Sequence, residues 1–150
     1  MLNLKLVISG FFLGQLSTDF QFDLHLASSP GDSEALLSVF RYYRGLQRTT
    51  GHVKALNNLA LATTFALVSF EAVAGRQHPA DWLVLVAFLV GVCFFVAVVR
   101  PAAETMKATP ESASPRFFPT VRPLLGTLFV GHVLLLAIVL LVLGVEMLPL

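Results

Sequence analysis

The chain has 150 residues, of which 56% are hydrophobic and 13% charged, with a formal net charge of +1. A soluble domain carries roughly 25% charged residues, because its surface needs them to stay dissolved; half that share points to lipid as the solvent. The near-neutral charge, without a basic stripe, gives no basis for a nucleic-acid partner. The single cysteine, Cys93, excludes an internal disulfide and any paired-cysteine metal or redox motif.

The first apolar stretch is Leu6 to Leu16 (LVISGFFLGQL), short and preceded by Lys5 in the manner of a secretory signal. A retained span over about 4–26 is preferred. The region around Leu24-His25-Leu26-Ala27 puts a histidine where cleavage wants a small residue, and apolar character continues through Phe20, Phe22, Leu24 and Leu26. Thr18 to Ala27 alternates with period two, a strand pattern. An isolated strand at a membrane would leave its edges unpaired, so the helix is expected to continue. Gly10 and Gly14 form a G-x-x-x-G pair that lets a neighbouring helix approach closely.

Ser28 to Ser33 reads as a loop and helix start. In the following SEALLSVFRYYRGLQR, Leu36, Leu37, Phe40 and Tyr43 share one face and Arg41, Arg44 and Arg48 another, the pattern of an amphipathic helix at the membrane surface. A second reading carries this helix straight into the next span. Spans of about 54–75, 82–100 and 121–147 follow, each near the 20 apolar residues that a crossing needs. Gly75 to Asp81 is a tight connection, with Trp82 as an interface anchor. The segment from Arg100 to Pro123 holds prolines at 101, 110, 115, 119 and 123, so it is expected to be a loop and not one helix. The expected fold is an all-α membrane four-helix bundle in one domain.

Eight of the ten Lys and Arg residues fall in the loops between spans one and two and between spans three and four. The positive-inside bias therefore places these loops on the cytoplasmic or equivalent matrix or stromal side, with both termini opposite.

Ionisable groups inside spans are candidates for function. At 1.5 Å per residue, His132 lies about 15 Å from Arg122, nearly level with Gln15. Gln15, Asp19 and His132 are the candidate catalytic residues, in a polar cluster with Asn58. Two chemistries are open: His132 and Asp19 as an acid–base pair, or these two with Asp23 and His25 as metal ligands. No metal-ligand spacing is present, so the expectation is no metal and no cofactor, with His132 and Gln15 bonding between helices. Glu71 is expected nearer the opposite face, snorkelling. Cys93 reads as buried packing. Tyr42 and Tyr43 read as part of an interface belt.

The layout also resembles the small four-helix membrane proteins that include fungal anthrone oxygenases. The Gly-rich first span (GFFLGQL) ends in acidic and His residues, FRYYRGLQ leads into the second, VVRPAAETMKAT ends the third, and RFFPTVRPLLG opens the last. That family pattern has a Trp and a His before the arginine at the start of the last span; here Phe117, Phe118 and Arg122 stand there. The resemblance implies a four-helix fold and an oxygenase acting on a lipophilic aromatic substrate. The residues themselves point first to a non-catalytic accessory subunit, partnered by the lipid bilayer and other membrane subunits.

Overall fold

The computed structural model describes residues 2–29, 31–48, 51–75, 77–111 and 117–147, with the side chains of all of these but residues 2, 3, 47, 53 and 54. Within them the regular structure is helical: α1 (Leu2–Ser28), α2 (Ser33–Arg48), α3 (Gly51–Val73), α4 (Pro79–Phe94), a π turn (Phe95–Val99), α5 (Arg100–Ala108) and α6 (Phe117–Met147). Three stretches are long and apolar enough to cross a membrane: Ala55–Val73, Pro79–Ala108 and Phe117–Met147. Pro30, Arg76, Pro115 and Arg116, and the side chain of Lys54, lie outside the described part.

Contacts join α1 to α6, α6 to α4, α4 to α3 and α3 to α1. The period-two segment Thr18 to Ala27 is helical, as expected, and α1 continues through it to Ser28. The inward face of α1 repeats at intervals of four and three residues. Lys5, Ser9, Phe12, Leu16 and Asp23 are buried on it and Asp19 is half-buried. Charged residues thus occupy both ends of an otherwise apolar seam, and α1 is not among the three membrane-length apolar stretches.

Four expectations are corrected. The proline-rich segment is helical at both ends: α4 runs through the π turn into α5 as one helix to Ala108, passing Pro101. A proline ring clashes with the carbonyl four residues back. The π turn loosens the backbone just there, and Arg100 N–H donates to the Phe95 carbonyl five residues back. Likewise α6 begins at Phe117, with Pro119 near its start and Pro123 inside it. Second, the apolar face of α2 does not lie open to a membrane surface. Leu36, Val39, Phe40 and Tyr43 are 0–3% exposed, packed with Ala103, Met106, Phe117 and Val121. The extensions of α5 and α6 supply the wall that covers them.

Third, the G-x-x-x-G pair does not meet α6. Gly10 and Gly14 are exposed, and a Cβ at either would meet nothing within 4 Å. The glycines that abut a neighbouring helix are Gly131, whose Cβ would lie 2.8 Å from Val99 Cγ2, and Gly91, which faces the Ile138 side chain. Fourth, Cys93 is exposed. It shares the outward side of α4 with Val86, Val90 and Val92, where a small thiol suits apolar surroundings as well as it suits a core.

Candidate functional site

Two polar clusters sit near opposite ends of α1. The first joins α1, α2 and α6. Asp19 and Asp23 lie one helical turn apart on the inward face of α1, and His132 comes from α6. His132 Nδ1 is 2.9 Å from Asp23 Oδ2, and its Nε2 is 3.6 Å from Asp19 Oδ2. From α2, Tyr43 donates its hydroxyl to Asp23 Oδ1 at 2.7 Å, and Tyr42 donates to Asp19 Oδ1 at 2.8 Å. The hydroxyl of Tyr43 also lies 3.4 Å from His132 Nδ1. Asp23 is only 4% exposed, so both carboxylate oxygens are bonded where water is scarce.

The aromatic surroundings hold these groups in place. Tyr42 stacks on Phe22 at 3.7 Å between ring centroids, and Phe20 approaches His132 edge-on at 6.5 Å. Burial pushes the hydroxyl pKa of both tyrosines well above the usual phenol range, and the carboxylates they bond push it further. Both therefore stay protonated and act as donors.

The second cluster joins α1, α3 and α6. Lys5, 2% exposed, is ion-paired with both Glu71 and Glu146. The end of α3 is fixed just beyond Glu71. Gly75 N–H donates to Phe70 O at 2.8 Å, and a Cβ at Gly75 would lie 2.8 Å from Glu71 Cα. Only glycine fits that closing turn. Asp81, in the first turn of α4, accepts from the His78 N–H at 3.1 Å and lines the same small cavity as Lys5.

No protein-family model matches this chain, and no curated protein or solved structure matches it either. Its chemistry is therefore argued from its own residues.

Of the residues singled out from sequence, Asp19 and His132 are brought together. Gln15 is not part of that cluster; its amide donates to Asn57 Oδ1 at 3.0 Å, tying α1 to α3. Asn58, one residue on, is exposed, as is His25. Among the described residues no group of three or more His, Cys, Asp and Glu is arranged to hold a metal ion. His132 sits closer to the basic end than the depth count placed it. Its partners Asp19 and Asp23 lie one and two turns past Gln15, and Gly131 beside it abuts Val99, immediately before Arg100. Glu71 does not snorkel but pairs inward.

Sequence reasoning missed Tyr43 as the partner of Asp23, and missed Lys5 with Glu146. The i, i+4 step from Asp19 to Asp23 was the available signal for the first, since it puts both on one face. For the second, the sequence held only a charge near each end of the chain.

What the first cluster can do chemically follows from its geometry. It places an imidazole 2.9 Å from one carboxylate and 3.6 Å from another, the first within reach for direct proton transfer. The same bonds also lock three helices together.

Proposed function

We propose that this chain is a four-span membrane protein working as a non-catalytic subunit of a larger membrane assembly. One observation carries the reading. The outward face of α1 presents Gly10, Gly14, Ser17 and Gln21 at intervals of four, three and four, and all four are exposed. Lipid gains nothing from small residues and cannot bond an amide. A helix from another chain gains close backbone approach and a polar partner. Lys5, Gln15, Asp19, Asp23 and His132 are meanwhile engaged in bonds between helices, which suits packing more than turnover. In this reading α1 crosses with the three apolar helices, and the basic ends of α2, α5 and α6 face the cytoplasm or its organellar equivalent.

Blue-native electrophoresis in gentle detergent tests it. The expected result is a complex larger than the monomer, lost in Gly14→Leu. A Cβ at Gly14 would meet nothing within 4 Å, and the position is exposed, so the monomer itself should remain folded. A lone monomer in every detergent counts decisively against the subunit role. For topology, single cysteines at Asn3, Ser112 and Leu150 on a Cys93→Ser background should label from one side at Asn3 and Leu150, and from the other at Ser112.

A second reading, a membrane oxygenase for a lipophilic aromatic substrate, draws on the anthrone-oxygenase resemblance. It is favoured by one observation, the placement of His132 between Asp19 and Asp23. Oxygen uptake with an anthrone-like substrate should then fall in His132→Ala. Equal rates remove His132 from any such mechanism.

A further inference from the structure

A cleft of about 210 Å³ lies between the C-terminal part of α1 and the start of α6. Its walls are mostly apolar: Leu26 on α1, and Leu125 and Phe129 on α6. Buried Asp23 marks its inner end, and exposed Arg122 its mouth. Gly126 forms part of the wall, and a Cβ there would meet nothing within 4 Å. The volume is below that of drug-sized ligand sites, about 300–1,000 Å³, and suits a slender occupant.

We propose that this cleft binds an anionic phospholipid of the surrounding bilayer, with the upper acyl chain in the cleft and the phosphate at Arg122. The inference rests on the chain lying in a membrane and not on its being a subunit. Three features select that occupant. From Arg122 to Phe129 the cleft follows α6 for seven residues, about 10 Å, all of it apolar. That is the shape of a chain segment and not of a polar metabolite. Its one cation is exposed at the outer end, where a head group would sit, and a guanidinium matches phosphate geometry. Its one anion, Asp23, lies at the inner end with both oxygens already accepting from Tyr43 and His132. An anionic head is therefore excluded from the inner end and held at the mouth, which sets the orientation of the lipid.

The test is native mass spectrometry of the full chain, delipidated in detergent and titrated with phosphatidylglycerol, phosphatidylcholine or oleate. Phosphatidylglycerol should bind about fivefold more tightly than phosphatidylcholine, the effect of one basic residue near an anionic surface. Arg122→Gln should abolish that preference while leaving phosphatidylcholine binding unchanged. Gly126→Val, which adds volume to the cleft wall at a position where a Cβ meets nothing within 4 Å, should lose both phospholipids at unchanged melting temperature. Equal binding of the two phospholipids by the native chain, undiminished binding in Gly126→Val, or oleate binding more tightly than phosphatidylglycerol overturns the proposal. Loss of the larger complex on native gels, with the lipid preference intact, would strike the subunit reading alone.

Discussion

His132 Nδ1 and Asp23 Oδ2 lie 2.9 Å apart across 109 residues of sequence. Asp23 also accepts from Tyr43, whereas Asp19 has its short bond from Tyr42 and the longer 3.6 Å approach of His132. The two aspartates should differ accordingly. Asp23→Ala removes the shortest bond of buried Tyr43 and of half-buried His132 and should cost about 1–3 kcal/mol. Asp19→Ala should cost nearer 0.6 kcal/mol, the average for a polar contact between membrane helices. Thermal unfolding of both variants in one detergent gives the order; a reversed order would mean that Asp19 is the anchor.

The chain has only two tyrosines, Tyr42 and Tyr43, and both hydroxyls are held protonated, by burial first and then by their carboxylate partners. A free phenol ionises near pH 10. The folded protein should therefore show no tyrosinate absorbance as pH passes about 10, and the signal should rise only with unfolding. The sign follows from linkage. A pKa raised by folding contributes stability fully below the unfolded value, and that contribution fades as pH climbs above it. Half the tyrosinate signal appearing near pH 10 with the helix content intact would show one hydroxyl to be unbonded.

Much of this arrangement was legible in the residues. The long apolar runs gave three helices because lipid-length segments must bond internally. The neighbouring of α1 and α6 followed from the cost of leaving His132 unpaired. What was not legible depended on helix length beyond the apolar run. Nothing local announces that α4 continues past Pro101 or that α6 starts at Phe117, because the π turn and the packing of α2 settle both. The level count took about 30 Å between the ends, whereas the Lys5–Glu146 pair sets Arg122 24 residues, about 36 Å, from that level, so the count paired His132 with Gln15 when its partner is Asp23. Rotation was the other gap. Gly10 and Gly14 were visible, but α1 is turned by Lys5 and Asp23 so that the glycines face outward.

Lys5 bonds two glutamates in a buried setting, so removing it alone should be costly. Lys5→Met should destabilise by about 3–5 kcal/mol, because two carboxylates lose the cation they share. The triple variant Lys5→Met/Glu71→Gln/Glu146→Gln should recover most of that loss, since the two carboxylates that Lys5 paired are neutralised with it. Chemical denaturation in mixed micelles measures both. A triple variant as unstable as the single one would place the cost in packing.

Gly131 is the contact point between α6 and the π turn. Gly131→Ala should cost about 1–3 kcal/mol, because Val99 is branched and has little room to turn aside. Val99→Ala added to it should restore part of the loss. Gly10→Ala, on the open face of α1, serves as the control and should leave monomer stability unchanged.

The exposed apolar side of α4 runs from Trp82 to Val98, between buried Asp81 and exposed Arg100. Those 17 residues, sixteen helical steps, rise about 24 Å, less than the roughly 30 Å of a typical hydrocarbon core. Reconstituted protein should melt higher in phosphatidylcholine of short acyl chains than of long ones. The opposite trend would mean that the lipid-facing belt extends onto α5.

The Lys5–Glu146 pair spans 141 residues, so it joins α1 to the far end of α6. Until α6 is made, Lys5 lacks one of its two carboxylate partners, and a buried cation short of a partner is costly. Helix α6 thus completes the seat of α1. Truncations that stop before Glu146 should leave α1 open to protease or labelling reagents, although every residue of α1 is present. Quality control in the cell then has a simple thing to read, a helix that settles only once α6 has been made.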